Sequence, residues 1–290
     1  MTGIIVTCQP KHNRIVVLTD GAHYTPDGLV VGVSTKGFPV SSWPGFAVGR
    51  GPSIGALNLA AALAIKLPTF DDVIEHAEEL MPSLVAELDL SGFDGDTTTI
   101  ELVMTGFSKR RGTPEAYVVR TTDALPPGMS RADLDAFIAA ESLAGRETFF
   151  PKAFKMIRLD DVVCAPIVDE ELRRRSGYCG VDKDDPLDQV TTDMLMAIEC
   201  QRQQLDPGNG RSIVGALACL TIITPDGIEQ RIVKRWESDV IGQYIAPLPI
   251  DWKAWRASRS VAAAGIPDGL SRMQRERLEK KARKGTLRAV

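Results

Sequence analysis

The residues near the start of the chain that could do chemistry begin with Thr2, directly behind the initiator methionine in MTGIIVTCQP. Threonine is small enough for a methionine aminopeptidase to remove the residue before it. A chain beginning at Thr2 has a free α-amine beside its own hydroxyl, a self-contained base and nucleophile. An α-amine ordinarily titrates at about 7.7–8.0, which suits proton transfer near neutral pH. Thr2 reads equally as the first residue of a strand, because an apolar run starts at once. Asp20 in TDG reads on its own as a turn aspartate, and Lys36, ahead of a glycine, as a solvated strand end. Gly49 lies in GRGPSIG, where glycines precede a helix as they do in phosphate loops. No Lys followed by Ser/Thr completes a P-loop, and no βαβ unit supports a dinucleotide site. His12, His23 and His76 lack metal-ligand spacing, and Cys8 lies inside a strand, where a core thiol is expected.

Composition sets the frame for these residues. The 290 residues are 44% apolar and 25% charged, enough for a sizeable core. No apolar run is long enough to span a membrane, and the first residues lack the pattern of a signal peptide. The five cysteines are scattered without a CxxC pair, so reduced thiols in a cytoplasm are expected rather than a disulfide or zinc framework. The net charge of −4 hides an asymmetry. From Asp251 onward 11 basic residues face 4 acidic ones, a basic tail on an acidic body. The tail lacks the broad basic face with aromatics that nucleic-acid binding needs. Trp252 and Trp255 are expected to anchor it.

The elements that must position the candidates follow from periodicity. Gly3–Cys8 and Arg14–Asp20 are apolar runs joined by QPKHN, which suits a tight reversal. Leu29–Ser34 and Gly45–Gly49 read as strands. Ser53 can cap a helix that Pro68 stops, and a second helix runs from Phe70 to about Leu88. Thr97–Thr105 and Glu115–Arg120 read as paired strands, Ser130–Ala144 as helix and Asp160–Ile167 as strand. Asp184–Gln204 is helical, with Leu187, Val190, Met194 and Ile198 on one face. Ser212–Thr224 and Gly227–Trp236 form a closing strand pair, and a charged helix ends the chain. Strands, two helices and strands again predict an α+β fold with sheets covered by helices.

In order and spacing these pieces resemble the proteasome β-subunit family of N-terminal-nucleophile hydrolases. An early Thr leads into TGIIVT, a second strand ends IVVLTD, and Lys36 follows Asp20 by sixteen residues, the family's own interval. LVMTGFSKRRGTPEAYVV resembles the central hairpin, and RSIVGALACLTIITPDGI the closing strands. The interval from Thr2 to Asp20 is two residues longer than usual, which a longer QPKHN reversal could absorb. The family's serine-glycine-serine turn is not recognisable, and GYCG at Gly177–Gly180 is a poor substitute.

The resemblance implies a four-layer αββα sandwich over residues 1–250 with a basic helical extension over 251–290. It implies a threonine-type amidohydrolase acting on peptide or amide bonds, without a cofactor or metal, assembled as a homo-oligomer. Thr2 is then the nucleophile, Lys36 the charge beside it, Asp20 the partner of Lys36, and Gly49 the oxyanion donor. Asp206 and Ser212 are the nearest candidates to hold the amine. The rival implication is a structural subunit of the same fold without catalysis. The tail offers a docking segment for a protein partner. Deleting residues 266–290 should leave the body folded but weaken assembly, less so in high salt, where screening acts within about 10 Å. Size-exclusion profiles at low salt check this, and identical profiles would count against it.

Overall fold

The computed structural model describes residues 3–88, 99–122, 153–159, 162–166, 168–206 and 209–263. Strands β1 (Ile4–Gln9) and β2 (Arg14–Asp20) pair antiparallel from Ile4↔Thr19 to Gln9↔Arg14. A single 3₁₀ turn over Pro10–His12 reverses the chain between them, with Asn13 in the left-handed region at φ 48°. Then come β3 (Ala22–Tyr24), β4 (Val30–Val33), β5 (Gly37–Pro39), β6 (Gly45–Arg50) and helices α1 (Ser53–Lys66) and α2 (Phe70–Ala86). The hairpin β7 (Glu101–Ser108) and β8 (Thr113–Arg120), the short β9 (Ile157–Arg158) and β10 (Val162–Ala165) follow. The described residues continue through α3 (Glu170–Ser176), α4 (Leu187–Gln203), β11 (Leu217–Thr224), β12 (Gly227–Arg235) and α5 (Trp252–Ala263). The fold is mixed α+β.

Two antiparallel five-stranded sheets dominate, ordered β10-β1-β2-β11-β12 and β5-β6-β7-β8-β9, with β3 and β4 a separate pair. The unbroken apolar runs of β1 and β2 are explained by burial of both faces. Successive side chains alternate across a strand. Ile4 and Val6 therefore pack with Val17, Phe46, Val48 and Val103 between the two sheets. Ile5, Val16 and Leu18 face Val190, Met194 and Ile198 of α4. On the other sheet Leu102, Met104 and Tyr117 pack against Leu59 and Leu63 of α1 and Phe70 and Met81 of α2. Trp252 of α5 joins the cluster of α4 and meets Trp255 edge-on at 6.2 Å. Among the described residues no helix is long and apolar enough to cross a membrane.

Several boundaries differ from the sequence reading. Ser53 is the first residue of α1 rather than its cap, a position held by Pro52. The cap signal belongs to α2, where Thr69 and Asp72 form a reciprocal capping box. The closing strand starts at Leu217 rather than Ser212. Ala216 has φ 65°, a left-handed value no strand residue adopts. The expected helix Ser130–Ala144, residues 97–98 and the charged terminal helix lie outside the described residues. Met81 is fully buried between α2 and the sheet. Met81→Ala should therefore cost about 2–5 kcal/mol, read as a lowered urea midpoint with little change in slope.

Candidate active site

Asp20 ends β2 and is completely buried. Its Oδ1 accepts the Gly3 amide at 2.9 Å and the Lys36 ammonium at 2.8 Å. Its Oδ2 accepts the amides of Gly215 at 3.1 Å and Ala22 at 3.3 Å. The backbone closes the same junction, since Asp20 N–H donates to Gly3 O at 3.0 Å. Thr2 lies outside the described residues. Its peptide bond to Gly3 ends on the nitrogen that donates to Asp20.

Lys36 immediately precedes β5, so it reaches Asp20 from the opposite sheet. Its side chain is 5% exposed, far from the solvated strand end that sequence alone suggests. Burial holds the ammonium below the ordinary lysine range; the charge and hydrogen bond of Asp20 oppose this, and nearby Arg50 adds to it. The Tyr24 ring lies 5.5 Å from Nζ. Gly37 pairs with Val48 across β5 and β6, so Lys36 and Gly49 are the next residues along each strand. A Cβ on Gly49 would come within 2.2 Å of the Ala56 methyl, which explains a glycine where α1 crosses β6. Beside it Arg50 donates to Glu101 at 3.0 Å, and Glu101 also takes Arg120 at 2.6 Å.

The structure therefore brings Asp20 and Lys36 together beside Gly3, with Gly49 next to Lys36 in the register of β5 and β6. Asp206 and Ser212 lie just beyond the end of α4. The Ser212 hydroxyl, 2% exposed, donates to the carbonyls of Arg202 at 2.5 Å and Gln204 at 3.3 Å, closing the end of α4. Asp206 starts the turn that follows, its N–H on Arg211 O at 2.8 Å. Gly215, three residues beyond Ser212, is one of the donors to Asp20. GYCG ends α3, with Gly177 at φ 73° as its left-handed cap. Cys8 is buried between the sheets, as a core thiol should be.

The sequence reading missed His23 and Ser34, whose ring Nε2 and hydroxyl lie 2.7 Å apart beside Lys36. Only the pairing of β3 with β4 juxtaposes them, a signal absent from spacing. Chemically, the cluster offers a buried positive charge able to stabilise an anion formed at the start of β1. Compared with known proteins, the chain matches no protein-family model and no curated protein.

His23 holds its proton less readily than an ordinary histidine, first through burial, then through the charge of Lys36, with Asp20 opposing. Folding disfavours the charged ring, so this group costs stability as pH falls from the ordinary histidine value through the lowered one. Lys36→Met removes a positive charge and leaves Asp20 unbalanced, and both effects should raise the His23 midpoint. Titration of the imidazole resonances by NMR checks this; an unmoved midpoint would separate His23 from the cluster.

Proposed function

We propose that the chain is a threonine-type N-terminal-nucleophile amidohydrolase acting on peptides, active once Met1 is removed. The buried Asp20–Lys36 pair, tied through the Gly3 amide to the first residues of the chain, is the observation that supports this. The fold is read as a four-layer αββα sandwich of the proteasome β-subunit type. The inner clusters of the two sheets and the helices packed on each support that reading. In this mechanism the Thr2 hydroxyl attacks the scissile carbonyl and its own α-amine takes the proton. The Lys36 charge lowers the energy of the alkoxide and disfavours protonation of the amine. The Gly49 amide donates to the oxyanion. The amine then returns the proton to the leaving group, and water releases the acyl group from Thr2. Asp20 keeps Lys36 in place and balances its charge. Asp206 and Ser212 are read as the nearest candidates to hold the amine; the Ser212 hydroxyl also donates to the carbonyls of Arg202 and Gln204 at the end of α4. The working form is read as a cytoplasmic homo-oligomer, and the basic extension 251–290 as its docking segment for a protein partner.

A second reading, a non-catalytic subunit of the same fold, is favoured by the saturation of Asp20. All four of its acceptor positions are filled by its own chain, as a purely structural carboxylate requires.

A peptide epoxyketone, which needs both hydroxyl and amine, separates the two. Protein shown by intact mass to begin at Thr2 should be labelled on its N-terminal peptide alone. Thr2→Ala should abolish labelling with stability nearly unchanged. Lys36→Ala should reduce labelling strongly and also destabilise by about 3–5 kcal/mol, because it strands a buried charge. Failure of Thr2-initiated protein to label, or to cleave any member of a broad peptide library, would leave the scaffold reading.

A further inference from the structure

A second buried ion pair stands behind the first. Arg202, in the last turn of α4, and Asp239, in the segment after β12, have side chains 3% and 1% exposed. Arg202 Nη2 donates to Asp239 Oδ1 at 2.6 Å, while Nη1 donates to Oδ2 and to Val214 O, the latter at 3.2 Å. Asp239 also accepts the Ala216 amide at 2.8 Å and the Ser238 hydroxyl at 3.3 Å. The guanidinium lies 4.9 Å from the centre of the Trp236 ring. Desolvating both charges is tolerable only because their remaining donors and acceptors are met in this way.

What the pair grips is a strained turn. Leu217 N–H donates to Gly215 O at 2.9 Å around Ala216, whose φ is 65°. Three-residue turns of this positive-φ kind are rare, and they persist only where the surroundings enforce them. A Cβ on Gly215 would lie 2.3 Å from Arg202 Nη1 and 2.4 Å from Asp239 Oδ2, so the pair closes directly on the turn. On its other side the turn meets the candidate site. Gly215 N–H donates to Asp20 Oδ2 at 3.1 Å, and Gly215 O accepts the Gly21 amide at 3.1 Å. A single peptide is thus held between two buried ion pairs.

We propose that Arg202 and Asp239 are positioning residues for the Asp20–Lys36 site, holding the strained 215–217 turn so that the Gly215 amide stays on Asp20. Neither touches Lys36; they act through the backbone. Released from Asp239, the turn relaxes away from its left-handed conformation and withdraws one of the four donors of Asp20. The carboxylate then leans more heavily on Gly3, Ala22 and Lys36. The consequence for catalysis rests on the amidohydrolase reading, whereas the mechanical link does not.

The test uses the full chain carrying Asp239→Asn, followed by amide exchange and by the side-chain resonances of labelled Lys36. The Gly215 amide should exchange about tenfold faster or more, while Val6 and Val17 in the β1–β2 hairpin keep their protection. The Lys36 resonances should shift. Arg202→Lys, which keeps the charge but loses the paired donors, should give the same changes to a smaller degree. It also serves as the test if Asp239→Asn does not fold. Unchanged Gly215 exchange and unmoved Lys36 resonances in a folded variant would overturn the proposal, whatever the outcome of labelling. If the wild type labels at Thr2, Asp239→Asn should slow labelling while leaving its site unchanged. If it does not label, exchange and resonance shifts still decide the point.

Discussion

The carboxylate of Asp20 is the constraint on which this end of the molecule depends. An ionised carboxylate has about four acceptor positions, and here each is filled by a different part of the chain. Gly3 precedes β1, Ala22 begins β3, Lys36 leads into β5, and Gly215 precedes β11. Bonds to a buried charge are stronger than neutral ones, and they add to the backbone bonds Asp20 N–H to Gly3 O and Gly21 N–H to Gly215 O at the same junction. The four segments belong to both sheets and to the β3–β4 pair, and Gly215 comes from 195 residues further along the chain than Asp20. The site is therefore a product of the complete fold rather than of any local element.

Opposing effects meet at Lys36. Burial disfavours its charge, and Arg50 repels it, while Asp20 attracts it and accepts its hydrogen bond. An ammonium in that position is neither a solvated surface charge nor a fully neutralised one. Its field is felt by neighbours such as His23, whose proton it helps to displace. Because Lys36 leads into one sheet and Asp20 ends the central strand of the other, the same bond that sets this field also ties the two sheets together.

Much of the architecture could be read from the residues, for identifiable reasons. β1 and β2 are uninterrupted apolar runs because one face meets the second sheet and the other meets α4. The apolar face of α4 is legible because Val190, Met194 and Ile198 recur at helical spacing and are all fully buried. Lys36 itself could not be assigned by local pattern, since a lysine before a glycine looks like a strand end; only its interval from Asp20 singled it out. The start of β11 was illegible because IVGALACL is apolar throughout. Its break at Ala216 comes from a backbone angle enforced by Asp239, 23 residues further on. Tertiary contacts of this kind leave no periodicity to read, and the contact of His23 with Ser34 escaped for the same reason.

Stability alone gives no reason for two buried ion pairs on either side of one peptide. Well-packed apolar replacements for such pairs are often neutral or better by about 1–4 kcal/mol, and a positive-φ alanine adds a cost of about 1–3 kcal/mol. A fold selected only to hold a sheet edge could omit all three. What they provide together is direction: one carboxylate fixed from four sides, one lysine kept dry and paired, and one amide aimed between them. A purely structural reading accounts for the saturation of Asp20 and for the pairing of Lys36, but gives no role to the field of that lysine. A reading in which that charge acts on the first residue of the chain gives the burial a purpose. A dry, oriented charge is worth more to a nearby anion than the same charge in water.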